Sequence, residues 1–153
     1  MPNEKASRYL LLPIALIGGA LAWVAGSYYF DTGFSWHWPA RSPIGALTIL
    51  ALAPFAEEWV FRGVLWAYLT RRLADQGQSD RPLKLLQVNL LTTLMFCFYH
   101  WLWVDWTQAI LVAIPSLYLG YLRVNGYGLR YCIIVHSVWN YGWIAILPGT
   151  SPI

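Results

Sequence analysis

The chain alternates long apolar runs with short polar segments. Four runs stand out: YLLLPIALIGGALAWVAGSYYF from Tyr9, LLQVNLLTTLMFCFYHWLWV from Leu85, WTQAILVAIPSLYLGYL from Trp106 and LRYCIIVHSVWNYGWIAIL from Leu129. Each falls within the length range that crosses about 30 Å of hydrocarbon. A fifth run, from Pro43 to about Thr70, carries the charged stretch EEWVFRG, Glu57 to Gly63. Pro54 lies inside it, and proline removes a backbone donor and clashes with the preceding turn. This run is therefore either one broken helix or two short spans.

Charge decides between the two. With five spans and the N-terminus inside, Lys5, Arg8, Arg71, Arg72, Arg81, Lys84, Arg123 and Arg130 fall on the cytoplasmic side, Arg41 falls outside and Arg62 lies in the membrane. Splitting the run at Pro54 would put the Arg71 to Lys84 cluster outside, against the positive-inside rule. The pattern predicts an all-α polytopic membrane helical bundle of five spans, 9–30, 43–72 kinked near Pro54, 85–104, 106–123 and 129–147, with a cytoplasmic N-terminus. Trp36, Trp38, Trp101, Trp103 and Trp106 then all reach the outer interface, where indole rings prefer to sit.

Composition agrees: 58% of the 153 residues are hydrophobic and only 11% charged, against roughly 25% charged in a soluble domain. The net charge of +3 comes from loop residues facing anionic headgroups, so it gives no reason to expect nucleic acid. The bilayer itself is the expected partner surface. Cys97 and Cys132 sit inside spans without zinc-ribbon or disulfide spacing and read as small buried hydrophobes. Ala20-Leu21-Ala22 mimics a signal-peptidase site, but the apolar run continues to Phe30, so cleavage is not expected. The chain reads as a single integral-membrane domain over 1–153. Its only sizeable polar segment is RRLADQGQSDRPLK, Arg71 to Lys84, broken by Gly77, Ser79 and Pro82.

Charges inside such a bundle are costly, about 2.5 to 3.5 kcal/mol each near the bilayer centre, so the EEWVFRG cluster is a functional-site candidate. At about 100 degrees per residue, Glu58 and Arg62 are i, i+4 neighbours on one face, and Glu57 points away from both. A glutamate locked in a charge-assisted pair is a poor base. Glu58 and Arg62 are therefore expected to structure the site, and Glu57 to serve it. A purely structural ion-pair network is the competing reading.

Two more constellations lie in otherwise apolar spans: Phe96 and His100 at i, i+4, and His136 and Asn140 at i, i+4. Buried imidazoles in a membrane need partners, so both histidines are expected to face the bundle interior; His37, near an interface, reads as structural. At about 1.5 Å per residue, Glu57 and His100 come out about 20 Å deep, Asn140 about 15 Å and His136 about 10 Å. The last is about a turn too shallow. This set suits hydrolysis better than nucleophilic catalysis, since Ser137 lies on a different face from His136. Imidazole and carboxylate are zinc ligands, but HExxH is absent and the donors are scattered over three spans, so metal-independent chemistry is favoured and no cofactor is expected.

Together the blocks EExxxR (Glu57 to Arg62, extended to FRG by Gly63), FxxxH (Phe96 to His100) and HxxxN (His136 to Asn140) resemble the CAAX protease and bacteriocin-processing family, also called CPBP or Abi, of glutamic intramembrane endopeptidases. The resemblance covers about Pro43 to Leu147. It implies that Glu57, with His100, activates a water, and that His136 and Asn140 donate hydrogen bonds to the oxyanion. It also implies a membrane-anchored protein or peptide substrate. The chain has only one span ahead of the motif-bearing helix, so the substrate-guiding region of larger members is expected to be missing or to be supplied by a second copy or a substrate-presenting partner. Compactness favours bacterial precursor or sorting-tail processing at the cytoplasmic membrane over prenylated-tail cleavage. The alternative is a non-enzymatic immunity or scaffold protein of the same fold.

Overall fold

The computed structural model describes residues 4–29, 31, 33–35, 37–74 and 81–146. Phe30, Trp36, Gly77, Ser79 and Leu147, all used above, lie outside the described residues. Those described form six helices and no strand. α1 is Glu4–Tyr29 and α2 is the short Trp38–Arg41. α3 runs from Pro43 to Ala74 as five consecutive segments. α4 is Arg81–Trp103, α5 runs from Trp106 to Val124 in two pieces joined at Val112, and α6 is Leu129–Ile146. The all-α expectation holds, and each predicted span matches a helix to within a few residues.

Four stretches, Leu10–Tyr29, Pro43–Leu73, Pro82–Trp103 and Trp106–Val124, are long and apolar enough to cross a membrane, which makes this an integral membrane protein. α6, expected as the fifth span, forms but is not among these four. The physical reason is its polar content, because Arg130, His136, Ser137 and Asn140 interrupt its apolar residues.

α3 continues through Pro54, and two segments, Thr48–Leu52 and Trp59–Leu65, are π-helical. Rungs one residue longer than the α-helical kind mark them: Ala53 N–H donates to the Thr48 carbonyl, and Trp66 N–H reaches the Phe61 carbonyl. The proline is thus accommodated by a widened turn directly before it, one of the recognised ways a helix absorbs such a defect.

The ends of α5 follow from local chemistry. Asp105, in extended conformation, caps the helix by accepting from Gln108 N–H at 2.8 Å, which satisfies an otherwise orphaned donor. At the other end Gly126 adopts φ 83°. Its N–H donates to Arg123 O at 3.0 Å, and Tyr127 N–H to Leu122 O at 3.0 Å. This is the glycine-terminated Schellman pattern, and it explains why the NG of RVNGYGLR ends the span.

The chain forms two compact units, residues 1–55 with 133–153, and residues 56–132. In the first, Trp38, Ala46 and Ala145 form the buried centre, with Phe34, Ile49, Leu50, Tyr141 and Ile144 packed on it. α1 and α6 approach closely because a Cβ on Gly142 would collide with the Trp23 ring, while Trp139 Nε1 donates to the Ala15 carbonyl at 3.1 Å. In the second unit α4 packs on α5 across Gly120. A Cβ there would collide with the Asn89 amide, whose nitrogen donates to Leu117 O at 3.0 Å. Small residues at helix contacts let polar groups bond across them, as membrane interiors require.

Candidate active site

The second unit holds Glu57, Glu58, Arg62, Phe96 and His100. Glu58 and Arg62 are both fully buried, and Arg62 Nη1 donates to Glu58 Oε1 at 3.1 Å. The expected i, i+4 pair is therefore formed. The uniform helical wheel is corrected, however: α-helical geometry ends at Glu58, and Arg62 sits inside the π segment. The pair survives because the arginine side chain reaches back across the wide turn. Glu57 lies next to Glu58 on the α-helical segment, a separation of about 100 degrees, and is half-buried.

Arg62 is also anchored on its far side. Nη2 donates to the Ser116 carbonyl at 3.1 Å and to Ser116 Oγ at 2.6 Å. Ser116 Oγ in turn donates to Thr93 Oγ1 at 3.1 Å. Ser116 is fully buried and Thr93 nearly so. The guanidinium carbon stands 4.6 Å from the Phe96 ring centroid, within cation–π range. Three helices, α3, α4 and α5, thus converge on one cation. Ser116 and Thr93 were missed by motif spacing. The signal for them was their polarity: each is a hydroxyl residue within an apolar span, and such side chains seek partners across helices.

Phe96 links the ion pair to the histidine. Its ring meets Phe61 edge-on at 5.0 Å and lies 4.4 Å from the His100 ring. His100 Nδ1 sits 3.0 Å from the Phe96 carbonyl. A carbonyl can only accept, so Nδ1 carries the proton and Nε2 is the ring atom that can accept one from water. The FxxxH spacing therefore does two things at once: it packs a ring on Arg62 and fixes the histidine tautomer.

His136 and Asn140 belong to the first unit, one turn apart on α6. His136 is buried and Asn140 half-buried. Asn140 Nδ2 donates to the Ile49 carbonyl at 3.1 Å, and that partner fixes which end of the amide is nitrogen. One of its two N–H groups is thereby engaged, which the sequence did not suggest. Among the described residues no group of three His, Cys, Asp or Glu is placed to hold a metal ion.

Removing the Ser116 hydroxyl tests the far anchor. Ser116→Ala is expected to cost about 1.5–3 kcal/mol, the range for a hydrogen bond to a charged group, read as a lowered unfolding midpoint in detergent. An unchanged midpoint would show that the backbone carbonyl alone seats the guanidinium.

A family model described as Type II CAAX prenyl endopeptidase Rce1-like matches residues 39–142. The match contains all seven residues of the three motifs. No curated protein and no solved structure matches the chain.

Proposed function

Because the chain belongs to the Rce1-like type II CAAX prenyl endopeptidase family, we propose that it hydrolyses a peptide bond in a membrane-anchored protein or peptide. Glu57 takes a proton from water as the water attacks the scissile carbonyl, His100 assists through Nε2, and His136 and Asn140 donate to the tetrahedral oxyanion. The observation that carries this reading is the contrast between adjacent glutamates. Glu58 is fully buried and ion-paired with Arg62, whereas Glu57 on the next face is only half-buried, which supports it as the carboxylate that takes part in the reaction.

The N-terminus and the Arg71 to Lys84 segment face the cytoplasm in this reading, by the positive-inside rule. The substrate is a bacterial precursor or C-terminal sorting tail, processed in the cytoplasmic membrane.

The test uses protein reconstituted in liposomes with three internally quenched peptides: a farnesylated CAAX peptide, its unprenylated counterpart, and a hydrophobic sorting-tail peptide. Product ends are read by mass spectrometry. Cleavage of the sorting-tail peptide in preference to the farnesylated one is expected. Preference for the farnesylated peptide would overturn the substrate assignment while leaving the chemistry, and cleavage of none would favour a non-enzymatic protein of the same fold.

A further inference from the structure

In the first π segment of α3 the rung pattern runs from residue n+5 to residue n, as Ala53 N–H to Thr48 O shows. The next rung in that pattern would join residue 54 to the Ile49 carbonyl. Residue 54 is proline and has no N–H to give. The Ile49 carbonyl, on a residue packed against the Trp38, Ala46 and Ala145 cluster, is the one that accepts from Asn140 Nδ2. A carbonyl in such a setting is costly without a donor, so the missing backbone rung and the side-chain bond are two halves of one arrangement.

We propose that Pro54 is a positioning residue for Asn140: by withholding a backbone N–H it keeps the Ile49 carbonyl open as the fixed acceptor that orients the Asn140 amide. A primary amide nitrogen carries two hydrogens in one plane. Fixing one on Ile49 sets the direction of the other, and a donor oriented before the reaction needs no reorganisation as charge develops. The backbone of α6 near Asn140 is held independently. Trp38 Nε1 donates to the Tyr141 carbonyl at 3.3 Å, and Ser35 N–H to the Ala145 carbonyl at 2.8 Å. Pro54 therefore acts on the amide's orientation and not on where the helix lies. The placement stands on geometry alone; its effect on turnover rests on the reading of Asn140 as an oxyanion donor.

Pro54→Ala supplies the missing N–H, which completes the rung to Ile49 and displaces Asn140. The sequence has four asparagines, Asn3, Asn89, Asn125 and Asn140, so selective 15N labelling of their side chains gives a readable spectrum in detergent, with Asn140→Asp identifying the signal. In the unsubstituted protein one Asn140 amide proton should exchange slowly with solvent. In Pro54→Ala that protection should be lost and the resonance should shift, while Asn89, bonded to Leu117 O, stays unchanged as a control for the fold. Pro54→Gly, which provides the same N–H, should reproduce the change. An Asn140 signal that is the same in all three proteins overturns the proposal.

With a peptide cleaved in the liposome assay, Pro54→Ala should lower kcat about tenfold, below the loss for removing a whole oxyanion donor, with KM unchanged. It should have no further effect in an Asn140→Ala background. A displaced Asn140 with unaltered kcat would leave the positioning intact and refute the oxyanion role instead.

Discussion

Replacing Glu57 by glutamine is expected to lower kcat by about 10²- to 10⁴-fold, the range lost with a general base, and to leave the protein folded. Glutamine matches glutamate in size, and the side chain is only half-buried, so no desolvated charge is stranded by the change. Glu57→Asp keeps the carboxylate but draws it back by one methylene, and should retain a measurable fraction of the rate. The measurement is co-expression with a candidate membrane-anchored precursor, comparing product ends by mass spectrometry. Full cleavage by Glu57→Gln would end the assignment of Glu57 as the base. The parallel change at its neighbour, Glu58→Gln, should act mainly on stability, since Glu58 is fully buried against Arg62.

Arg62→Met should be strongly destabilising. It leaves the Glu58 carboxylate, fully buried, without its counter-charge, and breaking a buried pair from one side costs about 3–5 kcal/mol. It also removes the donor to Ser116. Changing both partners is different in kind, because replacing a buried pair by apolar residues of similar volume is often neutral. The double variant Glu58→Leu with Arg62→Met should therefore regain most of the unfolding midpoint in detergent. Its turnover should stay low, because the turn that presents Glu57 is no longer tied to α4 and α5. A double variant that recovered both would reduce the pair to scaffolding. One that recovered neither would mean that the Arg62 bonds to Ser116 matter more than the pair itself.

The helices were largely legible because bilayer thickness imposes long apolar runs, and the Glu58–Arg62 pair was legible because four residues span one turn. What stayed hidden came from departures from regular geometry and from single polar residues. A constant angle per residue cannot show the π segments of α3, since widened turns depend on which backbone bonds form and not on hydropathy. Ser116 reaches Arg62 across 54 positions, a pairing with no local spacing to reveal it. Pro54 was read as a disturbance of the helix, but no local spacing could show that the Ile49 carbonyl near it accepts from Asn140 on α6. The polarity of α6 was read as chemistry, and the same polarity sets that helix apart from the four more apolar ones.

The two π segments also make the counting of residues in α3 consequential. A π turn holds one residue more than the α turn it replaces, so each can be viewed as a site where a single residue has been inserted. Glu57 and Glu58 lie on the short α segment between them. Deleting one residue from Thr48–Leu52 or from Trp59–Leu65 would let that stretch relax to an ordinary α-helix with its flanking residues still facing as before, whereas deleting one from an α-helical segment such as Trp66–Ala74 would rotate the flanking residues by about 100 degrees relative to one another. Either change keeps the hydropathy of the helix and its length to within one rise, yet only the second turns the glutamates relative to one end of it. In α3 the place of a deletion therefore matters more than its size: the widened turns are where the helix can lose a residue and keep the rotational phase of its carboxylates.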